Sequence, residues 1–399
     1  MGIRVTGVLL AVGAVVSMAV RSPAVSDLPQ GRVTLRRVPN GGIQPQVRLD
    51  AAGVLHLVYY TGDARGGDLY YVRSTDLGAT FSAPLRVNTQ PRSAIAAGTI
   101  RGGQLALGRG GRVHVAWNGS DAAMPRGVTN PRTGRPTAPF LYTVSNPRGT
   151  AFAPERNLMQ ATYDLDGGGD VAADVAGNVY GIWHANGTAE PPGEASRQVW
   201  IARSGDDGET FGPEKAADPA STGTCGCCGL AALATGATQL QVLYRSAIDL
   251  TNRDVYLLLS RDNGRTFRSS MVQAWSIGAC PMSSMALIRT RRGVLGTWET
   301  ADQVYLGIVD PERAAIREAV AAPGTPRGRK HPRLATTADG DTLMVWTEGT
   351  AWARGGSLAW QAFDASGKAV GAVESVAGVA AWSFGAPVGV RPGAFLVFY

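Results

Sequence analysis

The chain has 399 residues, 44% of them apolar, with 52 glycines and 23 prolines; 38 basic against 31 acidic side chains give a net charge of +7. Apolar content at that level excludes a disordered or collagen-like chain, and the glycine and proline suit a large fold full of turns. Lysine occurs only at Lys215, Lys330 and Lys368, so scattered arginines carry the charge; with no basic cluster interleaved with aromatics, nucleic acid is not an expected partner.

Arg4 followed by the uncharged stretch Val5 to Val20 has the form of an export signal, with Ser17-Met18-Ala19 or Ser22-Pro23-Ala24 ahead of the cleavage point. The run falls short of the ~20 apolar residues of a spanning helix, so no transmembrane anchor is expected. This predicts a signal peptide over 1–24 and a single domain over 25–399. The mature chain is expected to be a secreted or periplasmic monomer, with its cysteines in an oxidising compartment.

Downstream, one pattern recurs: a strand, a Gly- or Asp-containing turn, then a strongly apolar strand. Gln46–Leu49 pairs with Leu55–Tyr59, Gln104–Leu107 with Val113–Trp117, and Val171–Val175 with Val179–Trp183. Leu230–Leu233 pairs with Leu240–Tyr244, Met285–Ile288 with Val294–Trp298, Arg333–Thr336 with Thr342–Trp346, and Ala386–Val390 with Ala394–Tyr399. Seven pairs at a spacing of about fifty residues predict an all-β propeller of seven blades, or six if one pair is stray. The chain ends on such a pair, so Val33–Val38 is expected to complete the last blade and close the ring, which removes a raw sheet edge. The polar segment Gly119–Ala138 is expected to be a surface loop.

Between these pairs an octapeptide occurs three times: Ser74–Phe81 reads STDLGATF, Ser204–Phe211 reads SGDDGETF, and Ser260–Phe267 reads SRDNGRTF. A degraded copy keeps Ser145, Pro147, Gly149, Ala151 and Phe152. A short Asp bonds the backbone two residues on, Gly supplies a positive φ, and Thr with an aromatic restarts a strand. Each copy is therefore a hairpin turn with Phe packed beneath it. The three copies resemble the Asp-box of the sialidase-like β-propellers, with Asp76, Asp206 and Asp262 as the structural aspartates. In that family the box lies on the outer hairpin, away from the active centre.

The resemblance implies a ligand site at the mouth of the central channel and a glycan as ligand. Bacterial-type sialidases hold a carboxylate with an arginine triad, attack with a Tyr activated by Glu, and use an Asp as acid/base. Guanidinium forks suit a carboxylate, and a phenol of pKa ~10 needs a neighbouring base. The loop Tyr60–Asp68 resembles the family loop with an arginine and the acid/base, which makes Asp68 the candidate acid and Arg65 a carboxylate contact. Arg245 closes Leu240–Tyr244 where a triad arginine sits, with an ion pair to Asp249 or Asp254 as its structural alternative. Three positions depart from the pattern: Ile43-Gln44-Pro45 lacks a triad arginine, Cys228-Gly229-Leu230 replaces the Glu, and Trp382-Ser383 replaces the Tyr-Ser pair. An indole has no ionisable hydroxyl, so a retaining sialidase reaction is not expected. An inverting hydrolysis would need two carboxylates about 6.5–9.5 Å apart, from among Asp68, Asp170, Glu299 and Glu348. Trp382 and, in the loop Glu348–Gly356, Trp352 and Arg354 are further ligand candidates.

Cys225-Gly226-Cys227-Cys228 and Cys280-Pro281-Met282 precede the first strands of two consecutive blades, and His331 holds the matching place in the next. Two disulfides are the leading expectation for an exported chain, one of them joining Cys280 to the CxCC group. The alternative is a copper or zinc site made by Cys225, Cys227, Cys228, Cys280 and His331. Two functions therefore compete. One is a glycan-directed propeller, either a divergent exo-sialidase-like glycoside hydrolase or a carbohydrate-binding relative. The other is a non-enzymatic propeller that binds a metal ion or docks a protein through the cysteine face.

Overall fold

A computed structural model describes residues 1–2, 32–187, 193–217 and 221–399. The expected signal peptide over 1–24 lies almost wholly outside them. Seven sheets, each wound outward from a first strand, form a seven-bladed ring. The first strands are Ile43–Leu49, Gln104–Leu107, Asp170–Ala173, Ala231–Thr235, Ala286–Thr290, Arg329–Thr336 and Ala386–Arg391. Each contacts the next, and the last returns to the first, so together they line the central channel.

Blades one to six have four antiparallel strands each. Blade seven has Ala386–Arg391 and Ala394–Phe398, and its third strand is the amino-terminal Val33–Arg36. That strand pairs parallel to Ala394–Phe398, with Val33 opposite Phe395 and Arg36 opposite Phe398. The expected closure is therefore present, and it covers the edge that the last hairpin would otherwise expose. Among the described residues no helix is long and apolar enough to cross a membrane.

The core is distributed between blades. Seven apolar clusters occupy the seven interfaces, and alternate residues of a second strand serve two of them. In blade one, Leu57 and Tyr59 face blade seven, whereas Val58 and Tyr60 face blade two. A strand buried on both faces must read as a continuous apolar run, which is why these segments stand out in the sequence. Trp117, Trp183, Trp298 and Trp346 end equivalent strands and are fully buried packing residues.

The three octapeptides share one set of hydrogen bonds. Ser204 Oγ donates to Asp206 Oδ1 at 2.6 Å, Gly208 N donates to Ser204 Oγ at 2.9 Å, and Thr210 N donates to Asp206 Oδ1 at 2.9 Å. The same bonds recur at Ser74, Asp76, Gly78 and Thr80 and at Ser260, Asp262, Gly264 and Thr266. Hydrogen bonds from Ser204 and Thr210 hold the Asp206 carboxyl down at about 2. Each Phe packs on the preceding blade. Phe211 meets Tyr142 edge-on at 4.8 Å, and Phe81 meets Phe398 at 5.9 Å. The repeat thus works as a staple between neighbouring blades.

Candidate functional site

The segments that lead into the first strands gather on one face of the ring. There the chain takes a left-handed backbone at non-glycine residues that include Gln44 (φ 51°), Thr99 (70°), Met282 (51°), His331 (51°) and Trp382 (64°). Gln44 and His331 each precede a proline inside a bulge of the strand register, between Ile43 and Gln46 and between Lys330 and Arg333. A positive φ is unfavourable for bulky side chains, and bulges re-aim side chains beside binding sites.

The same face carries the segment Gly98–Arg101, which leads into blade two and reaches residues of blades three, four and six. Ile100 lies against Gly168 and Gly229, and a Cβ at Gly168 would stand about 2.1 Å from the Ile100 carbonyl oxygen. On the other side, Gly98 and Thr99 join Met282, Lys330, His331, Thr350, Ala351, Trp352 and Trp382 around a depression of only about 10 Å³, so a ligand larger than water would lie on the exposed ring of Trp352 above it. Trp352 is 55% exposed and sets its ring edge-on to Trp382 at 4.7 Å. Lys330 Nζ donates to Pro281 O at 2.5 Å, which fixes its ammonium at the rim. Gln44 Nε2 donates to Ala96 O (2.6 Å) and Trp382 O (2.8 Å), tying the chain ahead of that segment to the tryptophan.

Within the ring the channel is a cavity of about 560 Å³ lined by the first strands. Its polar lining includes Gln46, Arg48, Gln104, Asp170 and Arg333. The Asp170 carboxylate accepts bonds from Val171 N and Ala232 N, both at 2.8 Å. Confinement away from bulk water raises the Asp170 pKa to about 6, against the opposing pull of those two bonds and of Arg48 and Arg333. The ordinary aspartate value is near 3.8. Unfolded chains therefore ionise at Asp170 first, and its stabilising effect, full below about pH 4, is lost as pH rises through 6. In urea titrations the wild type is expected to lose more stability between pH 5 and pH 7 than Asp170→Asn does; parallel pH profiles would contradict this.

The sequence-derived candidates are placed as follows. Asp68 is half-buried, and its Oδ1 accepts from Asn88 Nδ2 (2.8 Å) and Arg92 N (2.7 Å), so it anchors the start of the segment that reaches Ile100. Arg65 is exposed on the tip of the same hairpin. Arg245 is fully enclosed. Its guanidinium donates to Arg253 O at 2.6 Å and lies 3.5 Å from Glu299 Oε2, so its ion-pair partner comes from the next blade rather than from Asp249 or Asp254. Glu348 pairs with Arg329 at 3.1 Å and accepts from Trp346 Nε1. Asp170 lines the channel, while Glu299 and Glu348 are each committed to an arginine. Tyr60, beside Asp63 and Asp68, has its phenol pKa pushed up by burial and by those carboxylates, the opposite of an activated nucleophile. Arg354 is exposed, with Nε donating to Gly349 O at 3.1 Å, one turn from Trp352.

All four cysteines carry free thiols, so the expected disulfides are not formed in this structure. Cys225, Cys227 and Cys228 come together, whereas Cys280 is exposed and, like His331, stands outside the group. Sequence reasoning missed His184. It lies on the second strand of blade three, is fully buried, and has neither ring nitrogen hydrogen-bonded. Burial, with Arg197 nearby, drops its pKa to about 4, so the imidazole is neutral. Gly167 (φ 71°) lets it approach the cysteine loop: a Cβ there would lie 2.7 Å from His184 Nδ1 and 2.6 Å from Cys228 O.

Known proteins offer limited comparison. No family model and no curated sequence matches the chain. Among solved structures, the NanB sialidase of Streptococcus pneumoniae aligns at 12% identity and a TM-score of 0.48, over 77% of this chain and 65% of that one. The chain thus spans just under two thirds of that sialidase. The Hadza microbial sialidase Hz136 aligns at 12% identity and TM-score 0.48, over 84% and 74% of the two chains. A Dyadobacter fermentans protein of unknown function aligns at 13% and TM-score 0.48, over 85% and 94%.

Proposed function

We propose that this propeller binds an acidic glycan on the face that carries Trp352 and does not run the retaining sialidase reaction. The observation that carries this reading is the exposed Trp352 set against Trp382, itself held at φ 64°, in a depression with Lys330, His331 and Thr99. An aromatic pair with one ring exposed suits the apolar face of a sugar, while the half-buried Lys330 ammonium suits its acidic edge. Arg354 and Lys330 supply positive charge for a carboxylate or sulfate. The resemblance of the three hairpins to the sialidase-like propellers supports the same class of ligand. Against hydrolysis stand the indole at Trp382, the raised phenol of Tyr60, and Asp68 engaged in holding a loop.

Calorimetry against sialylated and uronic oligosaccharides tests this. Trp352→Ala and Lys330→Ala are expected to weaken binding at least about tenfold, or ~1.4 kcal/mol, without altering the unfolding midpoint. Absence of binding to any acidic glycan at millimolar concentration would sink the proposal. Turnover of a fluorogenic sialoside that vanishes in Asp68→Ala would instead establish an enzyme.

A further inference from the structure

Cys225 Sγ stands 3.4 Å from Cys227 Sγ and 3.5 Å from Cys228 Sγ, and all three sulfurs lie within 4.8 Å of one another. A disulfide needs a separation of about 2.0 Å. Thiolates sharing one ion at metal–sulfur bonds of about 2.3 Å sit roughly 3.8 Å apart, close to what is found. Neighbours impose this spacing on the loop. Gly226 N donates to Glu194 Oε1 at 2.7 Å, Cys225 N to Arg245 O at 2.9 Å, and Gly229 N to Ser283 O at 2.9 Å. Gly168 N donates to Cys228 O at 3.1 Å. Glu194 is itself held by Arg253 at 2.7 Å. Gly226 lies close beneath the ends of Arg197 and Asp166, about 2.5 Å from where a Cβ would stand.

The surroundings are short of acceptors. His184 has two unbonded ring nitrogens, and Arg253 Nε and Nη1, Arg245 Nε and Thr224 Oγ1 are likewise buried without partners. Each such group destabilises the fold if nothing answers it. Neutral thiols are weak acceptors, whereas three thiolates on one ion keep net negative charge and would answer N–H groups that the carboxylates of Glu299 and Glu194 leave unbonded. We propose that Cys225, Cys227 and Cys228 bind one thiophilic ion, Cu(I) or Zn(II), as thiolates, with His184 as the neighbour that separates the two. Three sulfurs alone suit Cu(I); His184 stands outside the 4.8 Å group of the thiols, so a tetrahedral Zn(II) site would require its imidazole to move inward. Binding breaks three S–H bonds and releases the protons to solvent, with no change of oxidation state. The site lies apart from the Trp352–Trp382 depression and does not rest on glycan binding.

The test uses the full chain, purified under reductant and offered Zn(II) or Cu(I) anaerobically before desalting. About one ion per chain is expected, with three sulfur neighbours by X-ray absorption; an added nitrogen neighbour marks the zinc arm and its absence the copper arm. Thiol titration should find one fast-reacting group, Cys280, until a chelator frees the other three. Cys227→Ser, at the half-buried position, should lower metal retention at least tenfold, while Cys280→Ser retains it; unfolding curves confirm that both are folded. Retention unchanged in Cys227→Ser, fewer than three sulfurs on the ion, or a metal-free chain with two disulfides would overturn the proposal.

Discussion

Glu299→Ala is expected to lower the free energy of unfolding by about 3–5 kcal/mol at pH 7. Glu299 and Arg245 form an ion pair whose side chains are both 0% exposed, with Trp275 5.1 Å from the guanidinium carbon. Glu299 Oε1 also accepts from Asp302 N at 3.0 Å, which caps the turn to the next strand. Truncation leaves a guanidinium enclosed without counter-charge and a buried amide unpaired, and both penalties fall on the folded state alone. Glu299→Gln retains an acceptor for Asp302 and removes only the charge, so it should cost clearly less. Urea unfolding of the three proteins decides the matter. A Glu299→Ala midpoint equal to that of wild type would mean that Arg245 reaches water, and the enclosed pair would then be misassigned.

Deleting residues 1–36 should be of similar size and should also change solution behaviour. Val33 and Leu35 pack on the cluster between blades six and seven, and Phe395 N and Tyr399 N donate to Arg32 O (2.9 Å) and Arg36 O (3.1 Å). Two half-buried aliphatic side chains and several ladder bonds amount to roughly 5 kcal/mol. The deletion also bares Ala394–Phe398 as an apolar edge strand, a template for pairing with another chain. Thermal unfolding with light scattering should show a lower midpoint and concentration-dependent aggregation. A truncated chain that stays monodisperse at the wild-type midpoint would show that the ring does not need its amino-terminal strand.

Much of the fold was legible residue by residue. Gly78, Gly208 and Gly264 with their aspartates mark turns because the conformation is local and few residues tolerate it. Runs such as Leu55–Tyr60 mark strands buried on both faces because no other position in such a ring needs continuous apolar side chains. The closure by Val33–Arg36 followed from counting strands, although its parallel direction did not. The site was less legible. Arg245, a candidate carboxylate contact with Asp249 or Asp254 as its alternative partners, is enclosed and paired across a blade interface with Glu299. Thr99 and Ile100 look like ordinary loop residues, yet Thr99 lines the depression beside Trp382 and Ile100 packs on Gly168 and Gly229 of blades three and four. Lys330 is singled out by nothing local, and His184 sits inside a strand, forty residues before the thiols it approaches.

The amino-acid sequence by itself determined the repeat and the turns, because each depends on dihedral preference and apolar periodicity within about fifty residues, and it narrowed the blades to seven or six, which the seven sheets decide as seven. Tertiary structure alone decided which lead-in segments meet, which arginine finds which carboxylate, and that three thiols gather while Cys280 stays out. Those outcomes depend on the rotation between neighbouring blades and on a segment that reaches several of them, distances that no local pattern encodes.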